Sequence, residues 1–455
     1  VVLALVVALV LAACGGSEEG LRRTVAREES VTELAPGEFA APGTPGAVSG
    51  GGSPGGTAGG GPVPAIAAQT GSAPRASDRG VTDDTVTIGV ITTLSGGQRF
   101  VGEPPYRMAV AYADELNRRG GINGRRVVVK GYDVCIACPE DGLAQAKRAV
   151  EEDEVFAVLN GFVANAALGP AMEYLASTGT PMIQTADGLG LDAYQFQFGL
   201  DPPYRGAIDA DFVRRYLDER GLPRKVALLR FSQPLDELIS RHQKAGLQKQ
   251  GIEVVDEVAV QYGAAMTNQS SQVARMRASG ASMVVGSHGV VCAFNMQAAS
   301  QIGWMVPYLC SILYGDFAVT IADDAVDGRE VYADSDGFAP LSRPGPGVTR
   351  YRNLMRDFYP AGEIGLITMS SFLGMLTFEE GVAGMGDAVT REGMLRHLGS
   401  LQDYDAGGLT PPFTVTPADH IAIHGAYILK LDGDREWQPV SSDWVFPDPV
   451  HGLPR

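Results

Sequence analysis

The feature that most constrains this fold is a strand–helix alternation that runs once, pauses and runs again. Val86–Ile91 reads as an apolar strand, Leu94–Pro105 as a polar, Gly-containing loop, and Tyr106–Arg119 as an amphipathic helix closed by Gly120 and Gly121. Strand Arg126–Tyr132 follows, then helix Glu140–Glu152, which Pro139 opens without losing a needed N–H. Strand Val155–Leu159, helix Ala166–Ser177 and strand Pro181–Ile183 end the first run. The second takes in helix Asp209–Arg220, strand Val226–Arg230, helix Leu235–Gln250 and strand Glu253–Val260. It continues through helix Gln269–Ser279, strand Met283–Gly286, helix Cys292–Ile302 and strand Tyr308–Ser311. Parallel neighbours need a long crossover, so this alternation calls for parallel sheets covered by helices. The remainder, helices Gly347–Tyr359, Met369–Gly384 and Arg391–Leu398 and a hairpin Ala426–Leu431/Trp437–Val440, is too little for a third unit. It must pack back onto the first two, so the chain crosses between them more than once. The expected fold class is α/β, with two parallel-sheet lobes between which the chain crosses more than once.

Ahead of this body, Val1–Leu11 is apolar but shorter than the roughly 20 residues a membrane-spanning helix needs. It closes on Ala12-Ala13-Cys14, which resembles the lipobox of bacterial lipoproteins. A signal peptide over residues 1–13 and a lipid on Cys14 are expected, with an uncleaved apolar anchor as the alternative. Residues 14–80 include long Gly, Pro, Ser, Thr and Ala stretches that bury too little apolar surface to offset their ordering entropy, and are read as a flexible linker. The expected location is the outer face of the cytoplasmic membrane.

A net charge of −17 argues against nucleic acid, which needs a basic surface. Setting Cys14 aside, Cys135, Cys138, Cys292 and Cys310 read as two disulfides in an exported protein. Three pairings are open, and proximity favours Cys135–Cys138 and Cys292–Cys310. Cys135-Ile136-Ala137-Cys138 also has the spacing of a thiol–disulfide exchange site; a structural bridge is preferred. The chain has no Cys/His cluster at metal spacing, no phosphate-cradling Gly-rich loop and no hydrolase motif, so neither metal, cofactor nor enzymatic activity is expected.

Ile88-Gly89-Val90-Ile91, then Leu94-Ser95-Gly96 and Gly102, then Asn117–Gly124 (NRRGGING) and the strand from Arg126 to Asp133, resemble the opening of type I periplasmic binding proteins. More narrowly they resemble the branched-chain amino acid substrate-binding branch of ABC importers. The resemblance covers about Val81–Val440 and implies two doubly wound parallel-sheet lobes joined by a multi-crossing hinge of three crossings, with a ligand held between them. Lobe one would comprise 83–200 and 334–410, lobe two 201–333 and 411–445, and 446–455 would be a tail.

In such sheets ligands bind beyond the carboxyl ends of the strands. The candidate ligand residues are Ser95, Gly96, Phe100, Val101, Phe162, Asn165, Ala186, Asp187, Ser232, His288, Asp316 and Phe372. By the resemblance, Asn165 stands where a Ser holds the ligand carboxylate, and Ala186 where backbone is offered. Val101 and His288 stand where aromatic residues are usual, and Phe372 matches an aromatic lining the cleft. The acidic partner of the ligand ammonium has no clear counterpart; Asp316 is nearby. The expectation is a monomeric solute-binding lipoprotein that captures a small polar ligand (amino acid, amide or related compound) by hinge closure and delivers it to an ABC permease. A sensor of the same fold and a surface oxidoreductase using Cys135 and Cys138 are the alternatives.

Overall fold

Thr85–Thr92 (β1) is rich in β-branched residues and buried without a break from Ile88 to Thr92, as a strand covered on both faces must be. The computed structural model places it inside a parallel sheet. It describes residues 78–449 except 97–98, 135–138, 162–164, 185–194, 262–263, 312–315, 344, 363 and 417–418. The first run comprises α1 (Arg99–Arg118), β2 (Arg126–Asp133), α2 (Pro139–Lys147), β3 (Ala157–Asn160), α3 (Asn165–Ser177), β4 (Met182–Gln184) and β5 (Gln195–Leu200). The second comprises α4 (Pro202–Glu219), β6 (Lys225–Phe231), α5 (Pro234–Lys249), β7 (Glu253–Val260), α6 (Ser270–Ala278) and β8 (Met283–Gly286). It ends with α7 (Gly289–Gln301), β9 (Tyr308–Cys310), α8 (Asp316–Ala322) and β10 (Val331–Asp334). Then come α9 (Pro346–Phe358), α10 (Leu366–Ala383), α11 (Arg391–Leu398), β11 (Ile421–Ile423), β12 (Ile428–Leu431) and β13 (Trp437–Pro439).

The strands form two sheets, ordered β11-β5-β4-β3-β1-β2 and β13-β12-β10-β9-β8-β6-β7. The first is parallel throughout. The second is parallel from β6 to β10 and gains the antiparallel β12 and β13 at one edge. β2 and β7 end their sheets, and both are the part-exposed strands an edge allows. In each sheet the winding reverses beside the first strand, between β1 and β3 and between β6 and β8, which is where such sheets leave a crevice.

Three departures from the sequence reading matter for the site. α1 starts at Arg99, although Pro104 and Pro105 read as the end of a loop. Its opening turns are braced by Glu103, which pairs with Arg99 at 2.7 Å and Arg107 at 3.0 Å, so Phe100 and Val101 are helical rather than loop residues. β5 and β10 extend the two sheets and α8 joins β9 to β10, none of them carrying clear periodicity in the sequence. Finally, residues 411–445 do not all join the second sheet: Ile421–Ile423 pairs with β5 in the first, since an apolar triplet can cover that open edge.

The chain passes between sheets at Asp201, after Asp334 and after Ile423, each next to the carboxyl end of a strand. The crossings are tied together. Asp201 N–H donates to Ile423 O at 2.9 Å and Ser335 N–H to Tyr427 O at 2.9 Å. The Tyr204 and His424 rings stack at 4.2 Å. Arg205, fully buried, donates to Asp334 Oδ1 at 2.6 Å and to Asp336. Asp336 and Gly337 take left-handed backbone (φ 53° and 81°), and a Cβ on Gly337 would lie 2.4 Å from Ile423 Cγ2. The carboxyl edges of both sheets therefore meet at one hinge. Beyond it, α10 lies over β3, β4 and β5 and packs on α1, returning the C-terminal part to the first lobe.

Candidate functional site

The loops at the two reversals are where the structure gathers polar groups. In the first lobe, Thr92 Oγ1 lies 2.8 Å from Gly102 O and 2.5 Å from Gly161 O, bracing β1 against α1 and the end of β3. Leu94 N–H and Ser95 N–H donate to Asp133 Oδ1 at 2.7 and 3.1 Å. The Ser95 N–H is thus taken by one of the protein's own carboxylates, and its exposed side chain is the part left over. Thr93, 5% exposed, has a hydroxyl without a hydrogen-bond partner among the described residues.

In the second lobe, Ser287 and His288 follow β8 and meet the first turn of α5. Ser287 Oγ donates to Asp236 Oδ1 at 2.7 Å. Burial pushes the Asp236 carboxyl up, against the pull of the Ser287 bond. His288 caps α7: Val290 N–H donates to its Nδ1 at 3.2 Å. Its half-buried ring lies 5.5 Å from Phe231, and burial holds the imidazole below its usual range, so it is neutral at pH 7. Ser, His and Asp therefore meet here, but not as a nucleophilic triad. The serine proton goes to the carboxylate, and imidazole Nδ1 is spent on the backbone.

Beneath these residues, Cys292 and Cys310 form a disulfide, both fully buried. A Cβ on Gly286 would lie 2.2 Å from Cys292 Sγ, so only glycine lets the end of β8 rest on the bridge. Behind it, Gln243 Nε2 donates to Asp209 Oδ2 at 2.8 Å and lies 3.1 Å from Ser311 Oγ. Burial, then the nearby Asp334 charge, push the Asp209 carboxyl up to about 8.

Of the residues expected at the site, Ser95, Gly96, Ser232 and His288 follow strand ends, Phe100 and Val101 lie in the first turn of α1, and Asn165 and Asp316 open α3 and α8. Phe372 does not belong with them. Its ring is fully buried, edge-on to Tyr112 at 5.3 Å and Tyr351 at 5.6 Å, because α10 is apolar on nearly every face and serves as core. Phe162, Ala186, Asp187, Cys135, Cys138 and Cys14 lie outside the described residues. Ser287 and Asp236 lie in the loops 287–291 and 232–236 that the strand-end rule marks in the sequence, whereas Thr93 and Asp133 have only their places at strand ends to mark them. A cavity of about 230 Å³ lined by Ala207, Asp211, Gly246, Lys249 and Asp448 sits at the far end of α5, towards the amino ends of the strands, and belongs to no strand-end loop.

Two doubly wound lobes sharing one three-crossing hinge, with both crevices on the hinged edge, define a bilobal binding-protein fold. The sequence profile described as "Periplasmic binding protein" matches residues 85–436, and the chain belongs to that family. An "Amino acid binding protein" of Pseudomonas aeruginosa is 28% identical over 206 residues, 44% of this chain and 52% of that protein. The "Leu/Ile/Val/Thr-binding protein" of Salmonella typhimurium is 25% identical over 174 residues, 38% of this chain and 47% of that protein. The chain thus spans about half the length of the curated relatives it matches. Among solved structures, the branched-chain amino acid transporter substrate binding protein of Streptococcus pneumoniae, in complex with isoleucine, superposes with a TM-score of 0.67 at 18% identity, covering 80% of this chain and 100% of that one. A fatty acid ABC transporter substrate-binding protein from Thermomonospora curvata gives 0.68 at 21%, covering 80% and 93%. A solute binding protein from R. palustris in complex with 4-hydroxybenzoate gives 0.68 at 16%, covering 81% and 99%. Among the described residues no helix is long and apolar enough to cross a membrane.

Proposed function

We propose that the folded body captures a small, carboxylate-bearing solute between its lobes and delivers it to the permease of an ABC importer. The observation that carries this reading is the hinge: both crevices open on the edge where the three crossings are tied. Rotation there changes the space between the crevice loops while leaving each sheet intact. A ligand that contacts both sets of loops binds the closed form better than the open one, and that difference in affinity is what closes the lobes. Isoleucine, 4-hydroxybenzoate and a fatty acid, named with the superposed structures, share a carboxylate joined to an apolar part. That shared chemistry supports a carboxylate as the common requirement. The protein would work as a monomer outside the cytoplasmic membrane, held there by a lipid on Cys14 and the linker that follows.

The test is a thermal-shift screen of amino acids, aromatic acids and aliphatic acids, followed by small-angle scattering with each hit. Solute at 100 times its Kd should add about 2.7 kcal/mol to stability and shrink the radius of gyration. A screen in which no acid raises the melting temperature refutes the reading. For the anchor, Cys14→Ser should release the protein from the membrane fraction.

A further inference from the structure

We infer that the second lobe's wall of the site recognises a hydrogen-bond acceptor: His288, through Nε2–H, takes a carboxylate or carbonyl oxygen of the solute, not an ammonium group. The inference deepens the solute-binding reading and rests on it.

The chemistry follows from how the ring is held. Val290 N–H donates to Nδ1, so Nδ1 keeps its lone pair and the single proton of the neutral ring sits on Nε2. Burial keeps the ring neutral at pH 7. Asp236, whose carboxyl acts on the ring, takes the Ser287 hydroxyl, and no described residue forms a hydrogen bond or ion pair with Nε2. The ring is also fixed in place. Phe231 lies against it, and Cys292 N–H donates to His288 O at 3.2 Å while the Cys292 sulfur is bonded to Cys310 at the end of β9. The result is a preset N–H donor beside the β6/β8 crevice. The positive end of α7, a helix of 13 residues, lies behind it and favours negative charge. An ammonium group placed there would meet a donor and the same positive end.

The test uses three solutes of one shape: isovalerate (acid only), leucine (acid and amine) and isoamylamine (amine only). Each is titrated calorimetrically into the wild type, His288→Asn and His288→Ala. Asn can still accept the Val290 N–H as a helix cap but cannot reach as far, so it separates capping from recognition. Isovalerate and leucine should bind the wild type, and isoamylamine should not. His288→Asn should weaken both acids at least about tenfold, the worth of a hydrogen bond to a charged group, with the melting temperature of the free protein unchanged. Amine binding as tight as acid binding, or acids unaffected by His288→Asn, overturns the inference and leaves solute capture standing. Failure of all three solutes, together with an empty acid screen, removes both. Without any solute, nitrogen NMR of the histidines should show the Nε2–H tautomer at His288; the Nδ1–H tautomer overturns the inference by itself.

Discussion

Asp209 offers a sharp test of the buried network. Its side chain is fully buried on α4; Oδ2 is hydrogen-bonded to Gln243 and Ser311, while Oδ1 has no hydrogen-bond partner among the described residues. The neighbouring cation, Arg205, is committed to Asp334 and Asp336. Burial and the Asp334 charge therefore push the carboxyl up to about 8, against about 3.9 in an unfolded chain. Between those values the folded protein holds a proton that the unfolded chain releases, so this group's contribution to stability falls as pH rises. The slope is about 1.4 kcal/mol per pH unit, or roughly 3 kcal/mol from pH 5 to pH 7. Asp209→Asn keeps the shape and an acceptor for Gln243 and Ser311 but does not titrate. Urea unfolding of both proteins across that range, analysed by linear extrapolation, should show the wild type losing about 3 kcal/mol relative to the variant. Above the folded pKa the gap should stop growing. Parallel pH profiles would refute the claim that Asp209 carries a proton in the native state.

Other perturbations probe the hinge and the disulfide. Arg205→Met leaves Asp334 and Asp336 buried without their cation and should cost about 3–5 kcal/mol in urea melts, much of it recovered when both aspartates become asparagine. Gly337→Ala forces a side chain into left-handed backbone against Ile423, and should cost roughly 1–3 kcal/mol and alter the scattering change on ligand binding. Gly286→Ala drives a methyl into Cys292 Sγ and should cost about 1–3 kcal/mol by thermal melting; the cost should shrink when Cys292 and Cys310 are both replaced by alanine.

What could be read from the sequence was the part governed by local pattern. β1, β2, β7 and β8 and the helices between them have clear periodicity, so the two α/β runs and the multiple crossings were legible. α1 was read short because two prolines normally end a helix, and here a Glu103 ion-pair pair and packing outweigh them. β11 is a three-residue strand whose place depends wholly on the open edge of β5. The candidate site divides the same way. His288 was visible at a strand end, and the Cys292–Cys310 pairing favoured by proximity is the one formed. The Asp209–Ser311 contact joins residues 102 apart, and Arg205 meets Asp334 across 129, separations no local pattern encodes. Phe372 was misplaced because an aromatic on an apolar helix looks the same whether it faces a ligand or the core.

The way the crossings are tied also sets an order of assembly. β6 to β10 come from one unbroken stretch of chain, so the parallel part of their sheet can form as soon as that stretch is complete. The first sheet cannot. Its edge strand β11 and its covering helix α10 arrive only after the whole second run has been made. In a chain made from its N-terminus, the first lobe waits with β5 uncovered while the parallel strands of its neighbour form, and β12 and β13 then close the second sheet last of all. Any condition that stalls the chain short of Ile423 should thus leave a complete second lobe's parallel strands beside an open, aggregation-prone edge. Neither lobe can be obtained by simple truncation, because the cut that frees one removes an element the other requires.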